Sequence, residues 1–480
     1  MQSAPGAPPG QSRRYAAINR LHVIVRRGSV WRFSSLRADL LSHCIDLRLM
    51  YLELPQARPY HTAFGYSSQM KATGREPTKP VRRDILEDLE QFRLDVREWL
   101  NANCPESQRQ PMTPEEQYWG GRRGEFPSED ARRWFERMRD KGWTAPEWPT
   151  EYGGGGLTAL EGRVLKEEMK RIHARTPLYG IGIWMLGPAV LEYGSKEQKK
   201  QHIRAIVNGE TRWAQGYSEP GAGSDLASLQ CKAEDKGDHF LVNGSKIWTT
   251  AADKCDWIFC LVRTNPDVKK QEGISFLLID MDDPGVSTTP IALISGESEF
   301  CQTFFDNVKV PKENLVAELN KGWSVAKALL VHERKLMAEM GSDSPRHILV
   351  PNMAAHEYLE FENGKVADAR LRSDLVDYDM QMQAVALTHF RTFEEKAAGI
   401  RSAAPMVMKY VGTEAEKTKS ELLLAIMGSR GLGWEGDEFN AQEIDTVRLW
   451  AMSKAMTIAG GSSEIQLNLI AKNVLELPQS

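Results

Sequence analysis

Apolar residues recur every three or four positions over much of the chain, which is the period of an amphipathic helix. The pattern is clear from residue 84 to residue 207 and again after residue 322. It predicts helices in the ranges 84–100, 131–141, 159–172, 197–207, 323–336, 373–396, 402–427, 445–456 and 463–475. Both ends of the chain are therefore predicted to be helical.

The period changes between these two regions, where short runs rich in Ile, Val, Phe and Trp are bounded by turn residues. These runs cover residues 239–242, 246–249, 256–262, 273–281 and 302–310. Asn243-Gly244 separates the first two runs and predicts a two-residue hairpin, because both turn positions favour positive φ. Strands that follow one another without helices between them predict an antiparallel sheet or barrel.

Composition narrows the function without identifying it. The 480 residues include 61 basic and 65 acidic side chains, for a net charge of −4. No apolar run approaches the ~20 residues that cross a bilayer, and no basic domain is present to neutralise phosphates, so neither a membrane nor a nucleic-acid role is predicted. The six cysteines are scattered and predict reduced, mostly buried thiols with no metal site.

The first 69 residues follow a different composition from the rest. They hold nine Arg, no Lys and three acidic residues, a charge of +6, which leaves −10 for the remaining chain. This head can be an Arg-rich transit peptide, a basic arm, or sequence upstream of a natural start at Met70. We expect residues 1–75 to be disordered or upstream sequence, outside the enzyme. We expect a cytoplasmic protein, or a mitochondrial matrix protein if the head is a transit peptide.

The most distinctive stretch is residues 216–225, which reads Gly-Tyr-Ser-Glu-Pro-Gly-Ala-Gly-Ser-Asp. Residues 243–250 follow as Asn-Gly-Ser-Lys-Ile-Trp-Thr-Thr. Gly221 and Gly223 allow close approach of the backbone to a ligand, and the amides with the Ser224 hydroxyl can cradle a phosphate or pyrophosphate. A surface turn explains the same glycines, so the loop alone leaves both interpretations open.

Together these two stretches resemble the signatures of the acyl-CoA dehydrogenase family. Further matches are Lys141-Gly142-Trp143, Phe304 to Val308, Gly322-Trp323 and residues 460–466. The resemblance spans about residues 84–478. It implies an α+β, acyl-CoA dehydrogenase-like fold whose three domains are an N-terminal α-helical domain (80–210), a middle antiparallel β-barrel-like domain (211–320) and a C-terminal helical bundle (321–480).

The resemblance also implies FAD, bound where the middle domain meets the C-terminal helices. Trp248 would shield one face of the isoalloxazine ring, Tyr217 and Ser218 would lie along it, and Thr250 would bond near N5. A planar redox ring needs such an aromatic wall, and hydroxyls at its edge tune its acceptance of hydride. The full FAD-binding set implied by the resemblance is Gln215, Tyr217, Ser218, Gly223, Ser224, Trp248, Thr250, Gly428 and Gly431. For Arg430, contact with a phosphate and capping of a helix both stay open.

The catalytic base is missing from its commonest position in the family, because the corresponding stretch has Gly460 in its place. Some members carry the base on the first C-terminal helix in a Glu-Arg pair, and this chain has Glu333-Arg334 there. Burial among apolar neighbours would raise the pKa of Glu333, whereas a solvated Glu-Arg pair would be inert. We expect Glu333 to be the base and the Gly460 N–H to donate to the thioester carbonyl. Ser224 and Arg334 are the expected substrate contacts.

The resemblance implies that an acyl-CoA thioester is converted to its trans-2-enoyl form, with hydride transfer to FAD and onward electron transfer to an electron-transfer flavoprotein. It also implies a homodimer or homotetramer. Two alternatives remain open: a flavin-dependent oxidase or monooxygenase on the same fold, and a catalytically silent acyl-CoA-binding partner subunit or sensor, which Gly460 suggests.

Overall fold

The computed structural model describes residues 83–110, 112–340, 349–397, 399–400 and 402–478. The predictions made for residues 1–75 lie outside this part of the chain. The side chains of Glu333 and Arg334 also lie outside the described residues, although their backbone is part of a helix.

The N-terminal region is helical, as predicted. Its helices are α1 (Arg83–Asn103), α2 (Glu129–Asp140), α3 (Ala159–Arg171), α4 (Gly187–Tyr193), α5 (Lys196–Gln198) and α6 (Arg204–Val207). The predicted helix 197–207 contains a π-helical turn, Lys199–Ile203, between α5 and α6. A second π-helical turn, Gly182–Leu186, precedes α4.

A buried carboxylate joins α3 to α1. Glu168 is 2 % exposed. Its oxygens accept hydrogen bonds from Arg97 at 2.8 and 2.9 Å, from Arg171 at 2.7 Å and from Arg93 at 3.3 Å. The hydrogen bond from Arg97 and those from the other two arginines lower the pKa of Glu168 to about 2, against the opposing effect of burial. Burying this charge without partners would be costly, so the arginines compensate for the burial of Glu168 and link α1 to α3.

The middle region forms one eight-stranded sheet. Its strands are β1 (Trp213–Gly216), β2 (Lys232–Asp235), β3 (His239–Thr250), β4 (Trp257–Arg263), β5 (Ile274–Asp280), β6 (Val286–Ile291), β7 (Phe300–Pro311) and β8 (Leu315–Val316). They lie in the order β6-β7-β3-β2-β4-β5-β8, and β1 pairs with β4. Pairing is antiparallel except that β1 and β2 run parallel to β4. The predicted α+β class is confirmed.

The predicted hairpin at Asn243-Gly244 is wrong. These residues lie inside β3, where Asn243 pairs with Lys232 of β2 and a bulge separates Val242 from Gly244. The long strand β7 pairs with β3 on both sides of this bulge, so the chain bends here without reversing. The reversal between β2 and β3 comes earlier, at 236–238, where Gly237 has a φ of +98°.

The sheet is buried on both faces over β4 and β5, which explains their nearly continuous apolar sequences. One face packs inside the middle region, where Ile258, Cys260 and Leu277 are buried. The opposite face carries Phe259 and Phe276 and packs against helices of both end regions.

The C-terminal region is helical, as predicted. Its helices are α7 (Gly322–Met340), α8 (Pro351–Tyr358), α9 (Ala369–Ala397), α10 (Ala404–Met427), α11 (Ala441–Met456) and α12 (Ser463–Asn473). The short α8 and the two-residue strands β9 (Phe361–Glu362) and β10 (Lys365–Val366) were not predicted, because such short elements have little periodicity. Among the described residues, no helix combines the length and apolar character that a membrane span requires.

Candidate active site

The glycine-rich stretch begins where β1 ends and continues as an open loop. Glu219 and Ala222 exchange two backbone hydrogen bonds of 3.0 Å, which closes a tight turn. A Cβ added to Gly221 or to Gly223 would meet no atom within 4 Å. Packing within the chain therefore gives no reason for glycine at either position. Open backbone beside the exposed Ser224 is what close approach of a ligand requires.

Tyr217 lies in the protein core. Its ring is 5 % exposed and packs edge-to-face against Phe259 and Phe276, with centroid distances of 5.9 and 6.4 Å. The same apolar cluster includes Ala326 and Leu329 of α7. The side chain therefore fills space between the sheet and this helix, and the backbone of Tyr217 is the part nearest to the loop.

A buried ion pair connects the two signature stretches. Nζ of Lys246, which is fully buried, lies 2.7 Å from Oε1 of Glu219 and donates to the Tyr217 carbonyl at 3.2 Å. The Glu219 carboxylate also accepts the backbone N–H groups of Gln230 and Cys231. The sequence analysis did not assign these charges a role, although a Lys at an inward strand position is an unusual residue to bury.

A main-chain bond places the flavin-binding candidates side by side. The Ile247 N–H donates to the Ser218 carbonyl at 2.9 Å, so Ser218 lies alongside the strand that carries Trp248 and Thr250. Gln215 lies on β1, two residues before Tyr217. The structure thus brings together the predicted residues from both signature stretches.

Trp248 is half exposed and has an uncommon backbone conformation. Its φ is +60°, and its indole contacts Phe300 edge-to-face at a centroid distance of 6.1 Å. The register of β3 against β7 shifts between Lys246 and Thr249, which makes Trp248 part of a β-bulge. Bulges re-aim side chains and are common beside active sites. An exposed indole held in a strained conformation fits the aromatic wall expected for a planar ring.

The turn after α10 contains the predicted Gly428 and Gly431. Gly428 has a φ of +56° and would meet no atom within 4 Å if it carried a Cβ. A Cβ on Gly431 would lie 2.9 Å from the Leu424 carbonyl oxygen, so that glycine is required by the turn itself. Nearby, Trp434 packs on Gly296 of the β6–β7 connection, where an added Cβ would lie 3.0 Å from the indole. This contact joins the C-terminal bundle to the sheet.

Arg430 has a partner that the sequence analysis did not consider. Its guanidinium donates from Nε to Oε1 of Glu443 at 2.6 Å and from Nη2 to Oε2. Glu443 is 2 % exposed, and the hydrogen bond from Arg430 is the main cause of its lowered pKa. The pair fixes the turn after α10 against α11.

Gly460 lies in the tight turn between α11 and α12. Its φ is +63°, and its carbonyl accepts a hydrogen bond from Nε2 of Gln466 at 3.2 Å. The buried ammonium of Lys409 donates to the Gly461 carbonyl at 2.8 Å. The turn is therefore held by side chains from two helices, which leaves the Gly460 N–H at a fixed place.

A network of hydroxyl and amide groups fixes the start of α7. The Ser275 hydroxyl accepts the Asn320 N–H at 2.8 Å and pairs with the Thr264 hydroxyl at 2.7 Å, and Thr264 donates to Oδ1 of Asn320 at 2.6 Å. A Cβ on Gly322 would lie 2.4 Å from the Ser275 carbonyl carbon, so the helix begins directly on β5. This is the helix on which Glu333 lies, four residues after the buried Leu329.

A cavity of about 400 Å³ lies beside the same network. It is lined by Gln271, Glu272, Leu319, Asn320, Lys321, Trp323 and Ser324. Next to this region, Nζ of Lys270 contacts Oδ2 of Asp225 at 2.8 Å and the Ser228 hydroxyl at 2.7 Å. The loop that carries Ser224 is thus tied to the β4–β5 connection, which supplies part of the cavity lining.

The five described cysteines are buried, as predicted; Cys44 lies outside the described residues. Burial raises the pKa of Cys231 to about 11 and that of Cys255 to about 12. Such thiols are poor nucleophiles. Among the described residues, no group of three or more His, Cys, Asp or Glu side chains is arranged to hold a metal ion.

Comparisons with known proteins agree with this architecture. The N-terminal, middle and C-terminal domain models of acyl-CoA dehydrogenases match residues 87–210, 214–308 and 320–475. The acyl-CoA dehydrogenase IpdE1 of Mycolicibacterium smegmatis is 32 % identical over 404 residues, covering 82 % of this chain and 98 % of that protein. The acyl-CoA dehydrogenase FadE29 of Mycobacterium tuberculosis is 32 % identical over 355 residues, covering 72 % and 88 %.

Two solved structures extend the comparison. The Tcur3481-Tcur3483 steroid ACAD has a TM-score of 0.65 at 30 % identity, over 85 % of this chain and 99 % of that chain. The ChsE4-ChsE5 complex from Mycobacterium tuberculosis has a TM-score of 0.61 at 25 % identity, over 85 % and 100 %. The matches span all three regions of the fold, and the chain therefore belongs to the acyl-CoA dehydrogenase family of flavoprotein oxidoreductases.

Proposed function

We propose that this chain binds FAD and catalyses the α,β-dehydrogenation of an acyl-CoA thioester to the trans-2-enoyl-CoA. The observation that carries the proposal is the juxtaposition of the exposed Trp248 indole with the open loop 216–225, held together by the Lys246–Glu219 pair and the Ile247–Ser218 bond. When bound, FAD would accept the substrate's β-hydrogen as hydride at N5.

The residues present fit such a cofactor. Trp248 would cover one face of the ring, and the hydroxyls of Ser218 and Thr250 would bond to its edge. The open backbone at Gly223, with Gln215 and Ser224, would bind the remainder, and Gly428 and Gly431 would approach it from the bundle. Tyr217 would contribute backbone groups, since its ring is in the core.

Glu333 would remove the α-proton. An α-carbon is a weak acid, so removal of its proton requires a positioned base and donors for the enolate oxygen that develops. The network at Ser275, Thr264 and Asn320 fixes the helix that carries Glu333. The Gly460 N–H, held in its turn by Gln466 and Lys409, would donate to the thioester oxygen.

The cavity beside α7 is the proposed entry for the CoA portion of the substrate. Lys321 lines it, and Ser224 lies on the loop tied to its wall through Lys270. Arg334, on the same helix as Glu333, is the second proposed substrate contact. Ammonium and hydroxyl groups are suitable partners for the phosphates of CoA.

Purified protein tests the proposal through its visible spectrum. We expect a bound flavin, and we expect an acyl-CoA chosen from a panel of chain lengths and branching patterns to bleach it anaerobically. Oxidised electron-transfer flavoprotein should restore the colour. Rapid recolouring by air alone would favour the oxidase or monooxygenase alternative. A protein that is purified without flavin and does not bind added FAD would overturn the proposal.

The second candidate is a catalytically silent partner subunit. It is favoured by Gly460, because glycine occupies the position at which the catalytic base is commonest in the family. One of the similar structures is described as a complex, ChsE4-ChsE5. This alternative would be supported if the purified chain holds FAD and binds acyl-CoA but its flavin is never bleached. The flavin should also stay oxidised in a complex with a catalytic partner subunit when only this chain carries flavin.

We propose that the chain self-associates through α9. Four large apolar side chains on this helix are 53–70 % exposed, and they are spaced by 4, 7 and 3 residues: Val376, Met380, Leu387 and Phe390. That spacing places them on one side of a helix. The exposed Gln383 lies on the same face between Met380 and Leu387. Four exposed large apolar side chains on one helix face are nevertheless typical of an interface, and a homodimer or homotetramer would cover them.

The location and the electron acceptor remain predictions. The relatives named above with their organisms are bacterial, which favours the cytoplasmic prediction over the mitochondrial alternative. The electron-transfer flavoprotein is tested by the recolouring step above.

A further inference from the structure

The second bulge in β3, between Lys246 and Thr249, determines which way Trp248 points. Lys246 pairs with Thr303 of β7 and Thr249 pairs with Cys301, so β3 has one residue more than β7 over this stretch. In a regular strand, Trp248 would lie on the same face as the fully buried Lys246. The extra residue instead leaves Trp248 52 % exposed and turns Thr249 inward, where it is fully buried.

The conformation needs support from its surroundings. A φ of +60° for a residue as large as Trp costs about 1–2 kcal/mol, and it persists only where neighbouring contacts hold it. A shift of β3 by one residue would remove the bulge and reverse the faces of Trp248 and Thr249. Some interaction on the buried side must therefore oppose that shift.

Two buried hydroxyls provide this interaction. The Thr249 hydroxyl donates to the Cys301 carbonyl at 2.8 Å and lies 2.8 Å from the Thr303 hydroxyl. Because Thr249 uses its only proton on the carbonyl, Thr303 is the donor between the two side chains. Both residues are fully buried, so moving either would leave a polar group without water or partner.

We propose that the Thr249–Thr303 hydroxyl pair is the positioning device that holds the bulge and so presents the Trp248 indole to the cofactor. This inference rests on the proposed FAD site. Thr249 and Thr303 do not touch the cofactor; they act through the register of β3 against β7.

The test compares Thr303→Val with Thr303→Ser in the full chain. Valine keeps the shape of threonine and loses the hydroxyl, whereas serine keeps the hydroxyl. The readouts are the Kd for FAD, the visible circular dichroism of the bound flavin and its fluorescence, which a stacked indole quenches. We expect Thr303→Val to raise the Kd about tenfold, to change the dichroism and to increase the fluorescence, as expected for loss of one buried hydrogen bond. Thr303→Ser should keep the wild-type Kd, circular dichroism and flavin fluorescence.

A matched control separates positioning from general stability. Thr144 is also buried, and its hydroxyl donates to the Val207 carbonyl at 2.9 Å in the N-terminal region. Thr144→Val should lower the melting temperature about as much as Thr303→Val and leave the flavin signals unchanged. In a Trp248→Ala background, Thr303→Val should have no further effect on the flavin signals, because the pair acts through the indole.

The outcomes distinguish this inference from the proposed function. If the wild type binds FAD and Trp248→Ala alters its signals while Thr303→Val behaves like Thr144→Val, the hydroxyl pair is only structural and the inference is wrong. If Thr303→Val fails to fold, Thr249→Ser and Thr249→Val repeat the comparison from the other partner. If the wild type does not bind FAD, the proposed function itself fails.

Discussion

Lys246 and Glu219 form an ion pair that is shielded from solvent, with Nζ 2.7 Å from Oε1 across a separation of 27 residues. The Glu219 carboxylate also accepts hydrogen bonds from two backbone N–H groups, and the Lys246 ammonium also donates to the Tyr217 carbonyl. The two most recognisable stretches of the sequence are therefore joined by charges that face away from solvent. Lys246 and Glu219 therefore have a structural role within stretches whose other residues are proposed to bind the cofactor.

Removal of one partner of this pair should strongly destabilise the middle region. Lys246→Met leaves the Glu219 carboxylate buried without its cation, which costs about 3–5 kcal/mol in comparable pairs. Urea unfolding of the purified variant measures the loss. The control is Lys232→Met, because Lys232 is exposed and its contact with Glu234 is 3.4 Å long, so no measurable change is expected. Equal stability of the two variants would contradict a structural role for the pair.

Glu168 should make the stability of the N-terminal region depend on acid. Its pKa of about 2 in the folded protein lies below the ~4.3 of an unfolded glutamate. The stabilisation is therefore complete above about pH 5 and is lost as the pH falls through 4 toward 2. The full shift corresponds to about 3 kcal/mol, and solvent around Arg97 and Arg171 reduces it to about 2 kcal/mol.

Melting temperature as a function of pH tests this assignment. Glu168→Gln should be less stable than the wild type at pH 7, and the difference should shrink as the pH falls from 5 to 2. Glu167→Gln is the control, because that neighbouring carboxylate is far more exposed and contacts Arg93 and Arg163 at the surface. A constant difference between wild type and Glu168→Gln across this range would show that the carboxylate charge is not responsible.

Glu333→Gln should abolish reduction of the flavin by substrate while FAD stays bound. Loss of a general base slows proton removal by about 10²–10⁴-fold. Stopped-flow absorbance under anaerobic conditions measures the rate, and the spectrum before mixing measures FAD content. Glu357→Gln, an exposed position on α8, should bleach like the wild type. Unchanged bleaching by Glu333→Gln would remove this residue from the mechanism.

Leu387→Asp should break the proposed self-association. A carboxylate among the exposed apolar side chains of α9 would be buried without a partner in the assembly, although it is harmless on an exposed helix of the monomer. Sedimentation velocity should show a smaller particle for this variant. Leu160→Asp, on an exposed position of α3, is the control and should sediment like the wild type. An unchanged mass for Leu387→Asp would place the interface elsewhere.

Local sequence patterns determined most of the elements. The helices from α1 to α12 with three or more turns follow apolar periodicity, and their packing along one face reinforces the pattern that predicts them. The order of helical, sheet and helical regions follows from the same periodicities. The resemblance of the two signature stretches to the acyl-CoA dehydrogenase family implied that residues of the loop and of β3 would line one site, and the structure places Ser218 beside Ile247.

Only the tertiary structure decided what those residues do for one another. Asn243-Gly244 has the composition of a hairpin, but pairing with β7 on both sides makes it a bulge. Tyr217 has no local signal that places its ring under Phe259 and Phe276 rather than in the open loop. Arg430 meets Glu443, and Lys246 meets Glu219, across distances along the chain that periodicity does not encode. Partners of this kind are chosen by long-range packing and by the cost of burying an unpaired charge, so they become visible only when the strands and helices are assembled.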